Sequence, residues 1–331
     1  MTHSWKGRAL GSALLGSGLL VSPAPLEGQG VRELALACAE GAEVVLSWCQ
    51  ETALAAQAAQ GGLGLAASAG SDMPGSASTL GWRYQRSPRY ALTARTSFTR
   101  ISMPALGGGE PRPRGDASFT FPSVQVSASA GLFNGFSPAP NVGGVFSLDL
   151  TGSAHLVRVP KDKGFRDNLL GVGAGARLGI LRESFNLPGV SVSAYHRSLG
   201  RSGFGSLGGG DPAEARFDVD MSSIRGIVGK DIRGVGLFGG AGWDRYGGDV
   251  SIRVTDWRPG PLPSTRSASG NLSSDRRLYF MGASLTYVIL QVSMEGGWAQ
   301  GFGTELPDRV AGDFDTHAPS WFGSLALRVT F

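Results

Sequence analysis

From residue 88 onward the chain alternates. Ten segments read apolar then polar or glycine: 88–101, 117–132, 143–158, 168–182, 189–198, 215–229, 234–257, 276–289, 291–302 and 319–331. A strand sends successive side chains to opposite faces. Several of these runs reach 14 residues or more, against ~5–6 for an ordinary sandwich strand. A membrane-spanning barrel strand needs about 9–11 residues with outward and lumen positions alternating. In 168–182, Leu170, Val172, Ala174, Ala176, Leu178 and Ile180 oppose Gly171, Gly173, Gly175, Arg177 and Gly179. In 276–289, Tyr279, Met281, Ala283, Leu285 and Tyr287 share one face, with a tyrosine at each end. That placement suits the two aromatic girdles of a membrane barrel. The fold class expected is all-β, an antiparallel transmembrane β-barrel of about ten strands. Twelve strands are possible if 62–69 and 79–86 also pair.

The connections sort by length. Short turns are expected at 183–188, 230–233 and 290. Longer polar loops are expected at 102–116, 159–167, 199–214, 258–275 and 303–318. Short periplasmic turns and long outer loops are the barrel pattern, although 133–142 is long for a turn. An even strand count puts both barrel ends on the periplasmic side, and both termini are expected there.

Composition agrees. Of 331 residues 52 are glycine, and charged residues make up only 17%, below the ~25% of an ordinary domain. The formal charge of +4 comes with basic residues spread among acids. That pattern does not fit nucleic acid, which calls for a clustered basic face. Arginine outnumbers lysine and could grip lipopolysaccharide phosphates bidentately; codon bias is the blander source of the excess. The four histidines (His3, His155, His196, His317) are scattered, so neither a metal site nor a cofactor is expected.

Residues 1–29 read as a signal peptide. Lys6 and Arg8 are followed by an apolar run from Ala9 to Val21, ended by Pro23 and Pro25. The run is too short and broken for a transmembrane helix. Residues 30–60 carry the strongest helical period: Val31, Leu34, Cys38, Ala42, Val45, Cys49, Thr52 and Ala56 form one stripe. Gly61-Gly62 is expected to stop this helix, and 61–87 to be a Gly/Ser-rich connector. Cys38 and Cys49 would lie about 16.5 Å apart on an unbroken helix, too far for a disulfide. They can pair only if the helix breaks, with Gly41 the place for it. The alternative is a straight helix with two buried thiols. The helix itself is expected as a plug or as a periplasmic element at the barrel mouth.

The last segment reads PSWFGSLALRVTF, with Trp321, Leu325, Leu327, Val329 and the terminal Phe331 in alternation. It resembles the C-terminal insertion signal of Gram-negative outer-membrane β-barrel proteins. The resemblance covers the signal peptide and residues 88–331. It implies a bacterial outer-membrane location, lipid and lipopolysaccharide around the barrel, and delivery to the barrel-assembly machinery through the last strand and Phe331. A helix and a small-residue stretch (Gly62–Gly81) ahead of the barrel are similar in organisation to the long-chain fatty-acid transport channels.

On the phase read here, the lumen is lined by Arg95, Asp149, Arg177, Arg197, Asp218, Asp220, Asp244, Glu295 and Arg328. The two signs nearly match. Such a lining fits either a small, weakly selective pore or a lumen filled by ion pairs. The function expected is passive transport of small solutes, with a structural or surface-interaction barrel as the alternative. Enzymatic activity is not expected. One local exception is His196 and Ser198, two apart on a strand, which resemble the His-x-Ser-Asn segment of outer-membrane lipid A deacylases. Here Leu199 stands in place of the asparagine, and the phase points His196 outward.

Overall fold

A computed structural model describes residues 30–82, 87–104, 116–139, 142–209, 211–256, 264–302 and 314–331. The signal peptide expected at 1–29 lies outside them. Two helices, α1 (Val31–Ala39) and α2 (Glu43–Ser68), precede ten strands. These are β1 (Tyr90–Pro104), β2 (Asp116–Phe133), β3 (Ser147–Val157), β4 (Leu169–Leu181) and β5 (Gly189–Phe204), then β6 (Ala213–Ile232), β7 (Val235–Asp256), β8 (Ser264–Tyr287), β9 (Leu290–Ala299) and β10 (Ser320–Thr330). Each strand pairs antiparallel with its sequence neighbours, and β10 pairs with β1 to close the barrel. The barrel therefore has ten strands. Residues 62–68, one candidate for an extra strand, are helical.

The seam is held through the C-terminus. Phe331 N–H donates to the Tyr90 carbonyl at 3.0 Å, and Tyr90 N–H returns the bond at 3.0 Å. The two rings lie 6.3 Å apart. Both barrel ends, where β1 begins and β10 finishes, thus share one rim with the short turns.

The outer face carries an apolar band. Met281, Leu285, Val292, Met294, Leu325, Leu327, Leu92 and Val126 are all exposed on it. Tyr279, Trp298 and Trp321 stack in a row at its upper edge, with centroids 5.6 and 5.7 Å apart. Tyr287 and Val288 sit exposed at its lower edge. From Tyr279 to Tyr287 is about 26 Å along the strand, or about 20 Å of height at the ~40° tilt of a barrel strand, within the ~25 Å apolar band of an outer-membrane barrel.

Above the upper edge the strands continue. The alternation predicts a strand from 276 and a loop over 258–275, but β8 starts at Ser264 and pairs with β7 as far as Asp256↔Ser264. Residues 264–275 (STRSASGNLSSD) lack outward apolar positions because they stand clear of the membrane. Strand β5 likewise runs on past 198 to Phe204.

The helical segment departs most from its expected form. It breaks at Glu40-Gly41, both with positive φ of 45° and 81°, where glycine adopts the left-handed backbone without strain. The break folds α1 back on α2, and Cys38 and Cys49 form a disulfide with Cα atoms 5.9 Å apart. Gly61-Gly62 does not end α2, which runs on to Ser68. These glycines serve close approach instead. A Cβ at Gly61 would meet the Arg276 guanidinium, at Gly62 the Ile101 side chain and at Gly64 the Tyr246 ring. Ten strands leave room for one helix only if its surface is small, which explains the run of Ala and Gly from Ala53 to Ala67. A run that reads as a stop followed by a connector is a helix cut to the bore of the barrel.

Candidate functional site

Helix α2 packs against β6, β1 and β7, inside the barrel. It enters at the rim carrying the long connections, where Val31, Leu34 and Cys38 of α1 share an apolar cluster with Ile252, Val254, Phe217 and Phe121. There Glu40 pairs with Arg266 at 3.2 Å. Glu51 is buried on α2 in this region, and burial pushes its carboxyl up to about 7. Lower down, Gln57 and Gln60 donate to the Ser273 and Asp218 backbone carbonyls at 3.1 and 2.8 Å.

Below Ser68 the chain runs extended through the middle of the lumen, held by inward-pointing side chains of the wall. Arg225 donates to the Ser68 carbonyl at 2.7 Å and to that of Gly70. Arg95 donates to the Ser71 carbonyl at 2.7 Å. Arg177 bonds the Ser76 carbonyl, and Arg328 that of Pro74 at 3.3 Å. Gln291 and Ser284 donate to the Gly75 carbonyl at 2.9 and 3.1 Å. Glu295 accepts from the Ser71 N–H at 2.8 Å and Asp149 from the Leu80 N–H at 2.8 Å. The segment's own charge, Asp72, is buried between Arg197 at 2.6 Å and Arg225 at 3.9 Å, and Ser193 donates to it at 2.6 Å. Arg225 also pairs with Asp244 at 2.9 Å, which accepts from Tyr246 and Ser68. Burying these charges is costly unless they are paired and hydrogen-bonded; here all are hydrogen-bonded, and Asp72, Asp244, Arg197 and Arg225 are also ion-paired.

The segment leaves the lumen at the turn rim, where Ser78 accepts from the Glu183 N–H at 3.0 Å. Trp82 bridges antiparallel to Pro88, just ahead of β1. The first described residues and the start of β1 therefore lie at opposite rims. The helix, expected as a plug or as a periplasmic element at the mouth, lies inside the barrel at the loop rim, opposite the rim that holds both barrel ends. The 61–87 connector is, as far as Leu80, a core element of the lumen.

Of the expected lining residues, Arg95, Asp149, Arg177, Arg197, Asp244, Glu295 and Arg328 are buried and point inward. Asp218 and Asp220 do not belong with them. They share the outer face of β6, opposite the buried Val219 and Met221, and Asp218 pairs with the exposed Arg201 at 2.8 Å. The reason is physical. In the upper barrel the helix gives the lumen an apolar filling, so the wall there is apolar inside and polar outside, the reverse of the membrane band. Reading apolar as outward reversed the phase of this stretch.

Arg225, Arg276, Ser71 and Asp72 also face the lumen or fill it, and the alternation alone does not single them out. Arg225 shares its face with Phe217, Val219 and Met221, and only the inward choice of phase keeps an arginine out of lipid. Ser71 and Asp72 carry no periodic signal at all. His196 and Ser198 lie on the outer face of β5; the His196 Nδ1 lies 3.1 Å from the Ser222 hydroxyl, away from Ser198. Among the described residues there is no cluster of metal-ligating side chains.

A closed antiparallel barrel with an apolar outer band and aromatic edges is an outer-membrane β-barrel, and the chain is of that class. No family model matches the chain, and no curated protein matches it. Among solved structures it is similar to the outer membrane protease OmpT from Escherichia coli (TM-score 0.38, 11% identity, 77% of this chain and 100% of that one). It is also similar to the transport unit of the autotransporter AIDA-I from Escherichia coli (0.38, 9%, 84% and 99%) and to Neisserial surface protein A (0.27, 12%, 73% and 97%). These barrels differ in what they do, and no role is carried over from them.

Proposed function

We propose that the protein is a non-catalytic transport barrel of the bacterial outer membrane, closed at rest by its own N-terminal segment. The observation that carries this reading is the continuous occupancy of the lumen from α2 to Leu80. The middle of that occupancy rests on hydrogen bonds from the wall to plug carbonyls, with one ion-paired carboxylate. Such bonds, most of them from charged guanidinium donors, contribute about 1.5–3 kcal/mol each and can be exchanged for water, so the plug can move without the barrel unfolding. The long-loop rim faces outward and the turn rim faces the periplasm, so the clasped helical hairpin sits at the cell surface. The last strand and Phe331 serve the barrel-assembly machinery, and outward arginines such as Arg201 meet lipopolysaccharide. The disulfide-clasped hairpin, packed against the strands at the loop rim, also supports a second reading, a surface-interaction barrel that never opens.

Planar-bilayer recording of the full chain separates the two. A self-plugged channel shows little conductance as purified and gains it when the grip is weakened by Asp72→Ala, which leaves Arg197 without its carboxylate. A permanently filled barrel stays silent in both.

A further inference from the structure

With the face of every described strand fixed, the charge of the lumen wall is no longer balanced. The buried inward arginines are Arg95, Arg177, Arg197, Arg225, Arg276 and Arg328, and the buried inward acids are Asp149, Asp244 and Glu295. Glu214, the other buried acid of the strands, is set apart at the loop rim with Arg166 and Arg216. Arg276 faces Gly61 of α2, so the wall around the middle segment carries the other five arginines and the three acids, a net charge of +2 among the described residues. The middle segment answers it with a single carboxylate, Asp72. Of the six arginines, only Arg197 and Arg225 have a carboxylate within ion-pair distance among the described residues. Arg95, Arg177 and Arg328 donate instead to neutral carbonyls of the plug. Arg276 lies across the rings of Tyr246 and Phe302 and bonds the Ser320 hydroxyl at 3.3 Å.

We propose that this wall is an anion pathway: the arginines that hold the plug are the groups that bind and select small anionic solutes once it moves. The inference rests on the plugged-channel reading above. Its chemistry is direct. A lumen lined by an excess of one sign selects the opposite ion, and low-dielectric walls focus that field. Guanidinium groups suit carboxylate and phosphate oxygens through paired N–H donors. The plug's carbonyls and Asp72 place oxygens where anion oxygens would sit, so a permeant anion competes with the plug for the same donors.

The test is the reversal potential of the full chain in planar bilayers under a tenfold potassium chloride gradient. Openings are obtained in two ways: with Asp72→Ala, and with the unchanged chain in about 3 M urea, which lowers the stability of the buried plug in proportion to its concentration. The expected result is a chloride-over-potassium permeability ratio of at least about 3. Arg197→Gln with Arg276→Gln, added to Asp72→Ala, should bring the ratio toward unity. Openings that prefer potassium, or neither ion, overturn the anion pathway and leave the channel standing. Silence under both conditions overturns the channel and the anion pathway together.

Discussion

The two halves of the lumen solve the same packing problem in opposite ways. At the loop rim the bore is apolar: Phe121, Phe217, Val219, Val250, Ile252 and Leu272 pack against α1 and the upper turns of α2, while the outer face carries Arg201, Asp218, Arg245 and Asp275 as exposed pairs. In the membrane band the bore is ionic and the outer face apolar. The upper half has the inside of a water-soluble domain because water surrounds it. The lower half is inverted because lipid surrounds it, and the polar residues have only the lumen to turn to. One chain of helix and extended segment passes through both, anchored by burial above and by hydrogen bonds below.

That contrast predicts different failures. Phe217→Ala in the upper half should cost about 3–5 kcal/mol of stability, read as a lower thermal midpoint of the helical signal, with the barrel still closed to ions. Asp72→Ala in the lower half should cost a similar ~3–5 kcal/mol, because it strands buried guanidinium charge, but it should also confer conductance. If Phe217→Ala opens the barrel and Asp72→Ala does not, the assignment of anchor and gate is reversed.

A smaller effect is expected where the halves meet. Gly64→Ala places a methyl group against the Tyr246 ring, a rigid neighbour that also bonds Asp244 at 2.9 Å. It should cost about 1–3 kcal/mol in chemical denaturation. Gly62→Ala should cost less, since the Ile101 side chain can change rotamer. Equal costs would mean that the helix, not the wall, gives way. The smallest effect is expected from Asp218→Ala, whose partner Arg201 is exposed. It should leave the thermal midpoint unchanged within error. A large loss there would restore Asp218 to the lumen.

The sequence was legible in proportion to how much lipid decides. Where strands cross the membrane, alternation in segments such as 168–182 and 276–289 marks both their existence and their outward face, and ten strands follow. Where water surrounds the barrel, as in 264–275, small polar strand residues look like loop. On β6 the apolar residues Phe217, Val219 and Met221 face a helix rather than lipid, so the same rule inverts Asp218 and Asp220. Gly61-Gly62 reads as a helix stop only when the helix is imagined in isolation; against Arg276 and Ile101 it is a fit. Ser71 and Asp72 lie in a segment with no repeating pattern, and their role comes from Arg197, Arg225 and Glu295 more than 120 residues away.

The chain threads the barrel from the loop rim to the turn rim, which places α1 and the start of β1 at opposite ends of the barrel. Single cysteines at Arg32, exposed on α1, and Arg89, just before β1, report this directly, because Cys38 and Cys49 are held in their disulfide. With a membrane-impermeant maleimide on intact cells, Arg32→Cys should label at once and Arg89→Cys only after the outer membrane is permeabilised. Labelling of both on the same side would contradict the threaded arrangement.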